Sequence, residues 1–246
     1  MITLFVPSNY EAAVFRDALA NTRKTSIGDT PIFTGTLASV PLRLVVCGMG
    51  QPHSARRIDS VLATLPPLTS SRQDPVWLAG FAGGLDPSLK RYDMVYLLGD
   101  EEAAPPIQAT LATIPARCID RIYTAEVVVD TEEKKVAAFH ASGAPIVDME
   151  TAPFLQLLKK HGRSGAVIRV ISDDVSEEFP ADLIGHGYDF AKGRNTHMRL
   201  VWHLLTHWAD IARMRRFLAP LPKARRHLLD FVTCAAQATL VTKHEH

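Results

Sequence analysis

APIVDMETAPFLQLLKKHGRSGAVIRVISDD, residues 144–174, is the stretch on which the fold turns. A short apolar strand, Ala144 to Val147, ends abruptly on Asp148-Met149-Glu150. Residues Ala152 to Lys160 carry apolar positions at helical spacing, His161-Gly162 forms a turn, and a second strand runs from Ala166 to Ile171 before ending on Ser172-Asp173-Asp174. The unit is strand–helix–strand, with acids at the carboxyl end of both strands. In open α/β sheets those ends form the ligand crevice, so Glu150 and Asp173 are expected to face one bound molecule. Two carboxylates and the Met149 thioether suit a polar ring with an apolar face, such as a sugar or nucleoside.

Composition sets the outer bounds. The chain has 246 residues, enough for one α/β domain with a sizeable core. Hydrophobic residues make up 47% and charged residues 22%, ordinary values for a globular chain. Lys plus Arg total 27 against 26 Asp plus Glu, which gives no electrostatic case for nucleic acid or an anionic membrane. Cys47, Cys118 and Cys234 are too widely spaced to suggest a disulfide framework or a zinc knuckle. MITLFVPSNYEAA lacks the basic segment and long apolar run of a leader or membrane span, so the expected location is cytoplasmic.

Further strands are expected at Ile2–Val6, Pro31–Phe33, Leu42–Cys47, Val76–Ala79, Met94–Leu98 and Ile122–Val129. Helices are expected from near Tyr10, from Ser54 to Thr64 and from Thr131 to His140, and Leu65 to Asp74 is expected to be a loop. Gly48-Met49-Gly50 after a strand invites a dinucleotide reading, but His53 stands at the third glycine position and no acid is suitably placed further on. A tight turn explains these glycines better. Gly80-Phe81-Ala82-Gly83-Gly84, at the end of the strand Val76–Ala79, is read as glycines that let backbone N–H groups approach a ligand, with a sharp turn required only by the chain path as the alternative. Asp100 to Arg117 is acidic, then rich in Pro and Ala, and has no assignment. Glu177-Glu178-Phe179-Pro180 begins a loop expected to cover the site. The last fifty residues read as helices at Thr196–Trp208, Ile211–Leu218 and Ala224–Val241, a helical extension (196–246) packed on a domain spanning 1–195. His203 and His207 are spaced for a shared metal, but the residues between them lack a metalloprotease glutamate and no third ligand is evident, so no metal or cofactor is expected.

VDMET (147–151), RVISDD (169–174) and AGFAGGLDPSLKRYDMV (79–95) occur in the order seen in the nucleoside phosphorylase and nucleosidase superfamily. The chain resembles in particular the 5'-methylthioadenosine/S-adenosylhomocysteine nucleosidases and the hopanoid-associated phosphorylase-like proteins, over residues 1 to about 190. The resemblance implies a three-layer α/β/α domain with a central mixed sheet. It further implies that Asp173 protonates N7 of a purine, Glu150 binds the ribose hydroxyls, Met149 packs on the sugar and Glu11 activates water. Gly83, Ser172, Phe81 and Val128 fall at substrate-binding positions of the family, and a dimer or larger assembly is implied.

These roles suit the chemistry, since breaking an N-ribosidic bond places positive charge on the sugar and negative charge on the departing base. Other readings stay open at single residues. Glu11, in the first turn of a helix, also suits the helix dipole, and Asp173 or its neighbours Ser172 and Asp174 can cap a helix. An acid that donates a proton needs burial, and Val170 and Ile171 suggest a dry strand end.

The family's phosphorylases carry an arginine and a serine on the Gly-rich strand. Leu78 and Phe81 stand there instead, which favours water over phosphate, with Arg56, Arg57 and Arg169 as basic residues of unknown reach. Phe81 also replaces a small serine of many nucleosidases, and Val128 stands where they have an aromatic that stacks on the base. The expectation is a purine nucleoside hydrolase acting on a 6-amino base, because a carboxylate can accept from that amine. A phosphorylase and a nucleoside-binding protein without catalysis are the alternatives.

Overall fold

The computed structural model describes residues 1–67, 74–99, 107–109, 113–189, 194, 195, 202, 203 and 206–241. Its centre is built from four parallel strands: β1 (Ile2–Val6) lies between β4 (Val40–Val46) and β5 (Val76–Gly84), and β5 pairs with β10 (Gly165–Asp173). Antiparallel strands widen it. β2 (Ala20–Ile27) and β3 (Thr30–Leu37) extend the β4 edge, and β6 (Met94–Leu98) flanks β10. β7 (Arg117–Cys118) runs beside β6, β9 (Ile146–Asp148) pairs with Gly83 and Gly84 at the end of β5, and β8 (Tyr123–Thr124) runs beside β9. The result is a ten-stranded mixed sheet.

Helices cover both faces because alternate side chains of each central strand point to opposite sides. Leu4, Trp77 and Ile168 meet Phe15 of α1 (Asn9–Ala18) together with Leu228 and Phe231 of α7 (Leu221–Val241). Phe5, Leu78 and Val167 meet Ile58 of α2 (Gln51–Leu62) and Phe154 of α4 (Thr151–Lys160). Strands buried on both faces read as continuous apolar runs, as WLA and AVIRVI do. The layers are those expected for a three-layer α/β/α domain with a central mixed sheet. The remaining helices are α3 (Glu132–Ser142), α5 (Ala181–Gly187) and α6 (Trp208–Leu218).

Three local expectations need correction. The expected strand Val76–Ala79 does not stop before Gly80: β5 continues to Gly84, because those glycines leave room for neighbouring groups while β10 and β9 supply hydrogen bonds, and the alternative of a sharp turn there does not hold. The expected strand Ile122–Val129 shortens to Tyr123–Thr124, since its partner β9 ends at Asp148, where the chain turns into α4. β2 escaped the sequence reading because ANTRKTSI is an edge strand, exposed along nearly all its length, and shows no apolar alternation. Of the expected helix Thr196–Trp208, residues 196–201, 204 and 205 lie outside the described residues, as do 100–106 and 110–112 of the unassigned segment and 68–73 of the expected loop. No described helix is long and apolar enough to cross a membrane.

Candidate active site

Ser8 caps α1, and its backbone N–H and hydroxyl both donate to Glu11 Oε2, at 2.9 and 2.5 Å, while its Oγ accepts from the Glu11 N–H. This capping box turns the Glu11 carboxylate back toward the sheet instead of into solvent. Oε1 accepts from the Phe81 N–H at 2.8 Å, so a first-turn glutamate is buried against β5. Burial raises the Glu11 pKa, against the opposing effects of Ser8, the Phe81 N–H and the Arg169 guanidinium.

Arg169 sits fully buried in the middle of β10. Its Nε and one terminal nitrogen donate to Asp148 Oδ2 at 3.0 and 2.5 Å, and the same terminal nitrogen lies 3.6 Å from Glu150 Oε2. The other terminal nitrogen, Nη1, is buried and has no hydrogen-bond partner among the described residues. Gly80 explains how Arg169 and Glu11 come together: a Cβ there would stand 2.6 Å from both Arg169 Nη1 and Glu11 Oε1. Only glycine leaves those groups their places.

Glu150, at the turn after β9, accepts from the Gly50 N–H at 3.0 Å. Gly50 has φ 82°, a left-handed conformation that glycine adopts without strain, and it starts α2. Burial pushes the Glu150 carboxyl up to about 7; Arg169 and the Gly50 N–H oppose this, and Asp148 and Glu11 add to it. Met149 is half-buried on the same turn. Cys47 is buried nearby, and burial with the Glu150 and Glu11 charges raises its thiol well above the ordinary value.

Asp173 ends β10 at the other pole of the site. Lys135 of α3 donates to its Oδ2 at 2.6 Å, and the Ser172 hydroxyl lies 2.5 Å from Oδ1 and 3.2 Å from Ala82 O. The expected burial is present, but the surroundings are ionic rather than the dry apolar strand end the sequence suggested, because α3 brings an ammonium to it. Asp173 caps no helix. The local turn is made by Asp174, which accepts from the Ser176 N–H and hydroxyl. Gly83 faces the acid, with a Cβ there falling 3.3 Å from Asp173 Oδ2 and 3.1 Å from Val147. Gly80 and Gly83 are three residues apart, so their backbones stand roughly 10 Å apart along β5.

The other expected residues are arranged less directly. Phe81 reaches Glu11 through its backbone, while its ring packs on the α1/α7 face, 6.3 Å from the Tyr10 ring centre. Val128 is half-buried in an irregular stretch tied down by Ala125 N–H to Asp148 O and by Phe179 N–H to Asp130 O. Phe179 also stacks edge-on with Phe217, which fastens the segment after Asp173. Arg56 and Arg57 both pair with Asp29. His203 stacks on His207, and its ring nitrogen meets Asp210 at 2.9 Å.

Sequence reasoning left Arg169 and Lys135 without roles and gave Gly50 only a tight turn. Arg169 had a signal, since a charged residue inside an apolar strand is buried only with partners. Lys135 had none: EEKK reads as a solvated helical face, and Lys134 beside it does bond at the surface to Asp130.

Residues 108–205 match the family profile of the phosphorylase superfamily. The 5'-methylthioadenosine/S-adenosylhomocysteine nucleosidase from S. pneumoniae, solved with the transition-state inhibitor MT-ImmA, superposes with a TM-score of 0.69 at 19% identity, covering 97% of this chain and 99% of that one. The resemblance read from the three motifs is borne out. The nucleosidase of the same name from Neisseria meningitidis, in complex with methylthio-immucillin-A, gives 0.67 at 17% identity over 95% and 97% of the two chains. The futalosine hydrolase of Helicobacter pylori gives 0.68 at 17% identity over 96% and 97%. No curated protein sequence matches the chain. At these identities the likeness carries the fold.

Proposed function

We propose that this chain hydrolyses the N-ribosidic bond of a 6-aminopurine nucleoside and releases the free base. The observation that carries this reading is the Glu11–Arg169–Asp148–Glu150 cluster, in which three buried carboxylates surround one guanidinium. A phosphate dianion brought there would meet more negative than positive charge in a site of low dielectric. Water carries no such penalty. Leu78, fully buried, and Phe81 offer no side-chain donor to phosphate, and Arg56 and Arg57 are engaged with Asp29. The named ligands of the similar structures, nucleoside analogues and adenine, support the substrate class.

In this reading Glu11 takes the proton of the attacking water, with Arg169 Nη1 as the donor that orients it. A raised Glu11 pKa brings that base closer to working pH. Glu150 accepts the ribose hydroxyls and Met149 lies against the sugar. As the bond to the base breaks, its electron pair moves into the ring and Asp173 delivers a proton to N7. Adenine release from a panel of adenosine derivatives differing at the 5'-carbon tests the assignment, with the native chain beside Asp173→Ala. The variant is expected to lose about 10²- to 10⁴-fold in turnover. Undiminished turnover in it overturns the role of Asp173, and a melting shift with nucleoside but no base release would replace the enzyme by a binding protein.

A further inference from the structure

Lys135 is the fully buried residue of α3, a helix otherwise half-buried or exposed. An ammonium removed from water is unfavourable unless its protons all find acceptors. Here they do: Nζ donates to Asp173 Oδ2 at 2.6 Å, to Asp174 O at 2.7 Å and to Glu177 O at 2.7 Å. One ammonium therefore joins α3, the end of β10 and the turn that follows it. A methionine would fill similar volume without the desolvation, so packing alone does not account for a lysine.

Resting on the hydrolase reading, we propose that Lys135 is the positioning residue of the acid, holding Asp173 and the 174–177 turn as one unit. The proton leaves Asp173 for N7 as the bond to the base breaks, and Asp173 is left as a carboxylate. The neighbouring ammonium stabilises that carboxylate as it develops, a fixed charge aimed where negative charge appears. The other charged groups around the acid are turned elsewhere. Glu177 pairs with Arg91 at 2.8 Å and accepts from the Asp174 N–H, and Asp174 accepts from Ser176.

The test is kcat and KM for base release by the native chain, Lys135→Met and Lys135→Arg, with melting temperatures alongside. Lys135→Met is expected to lose about tenfold or more in kcat with KM little changed, because the acid is no longer held in place. Lys135→Arg, which keeps the charge and several donors, is expected to restore most of kcat. Should Lys135→Met fail to fold, Lys135→Gln, which keeps a donor without the charge, reads the same kcat. An unchanged kcat in Lys135→Met, or a loss in both variants that follows melting temperature alone, overturns the proposal and leaves the hydrolase standing. No base release by the native chain defeats the hydrolase reading, and this proposal with it.

Discussion

Glu150 is the residue at which burial and charge are most evenly set against each other. Its carboxyl is pushed up to about 7, so near neutral pH it passes between a hydrogen-bond donor and a carboxylate able to accept from two hydroxyls. This has a consequence for stability. The folded protein keeps the Glu150 proton across a range where the unfolded chain has already released it. Folding therefore takes up a proton, and stability falls as pH rises from the ordinary carboxyl range to about 7. Glu11, also raised, acts in the same direction. Glu150→Gln removes this titration and is expected to flatten the decline, which is on the order of 3 kcal/mol for a shift of that size. Melting temperatures of both proteins between pH 4.5 and pH 8 check it; parallel curves would refute the assignment.

At the scale of elements, the candidate site forms where two parallel strands, the turn after β9 and the capped start of α1 converge. β5 contributes glycines where the acids need space, β10 contributes Arg169 and Asp173, and the turn after β9 contributes Glu150. α1 supplies Glu11 through its capping box, and α7 closes the face on which α1 packs. Phe231 of α7 is fully buried in that layer, so Phe231→Ala is expected to destabilise the protein by about 3–5 kcal/mol, read as a lowered denaturant midpoint. A change under 1 kcal/mol would make α7 an accessory instead of a layer.

Much of this was legible beforehand for physical reasons. WLA and AVIRVI are apolar on both faces and name central strands, and acids directly after such strands mark a crevice. Lys135, the edge strand β2 and the contribution of Gly50 were not legible. A buried lysine and an exposed one look alike on a polar helix, an edge strand needs no alternation, and a backbone N–H leaves no trace in residue type. Asp173 was placed at the site by its strand, but its ionic surroundings depended on a helix thirty-eight residues earlier in the chain.

At the scale of the whole molecule, the sheet sets two groups of buried polar residues along β5. In the proposed reading, the group around Glu11, Arg169 and Glu150 serves the sugar and the nucleophile, and the group around Asp173 and Lys135 serves the base. In that reading the charge balance of the first group selects a neutral nucleophile. The most direct measurement is the rate of base release by the native chain as inorganic phosphate is raised from none to about tenfold above the enzyme's substrate concentration, with the sugar product identified. The account predicts full release without phosphate, a rate that does not rise with it, and a free sugar as product. Release that depends on phosphate and yields a sugar 1-phosphate would contradict it.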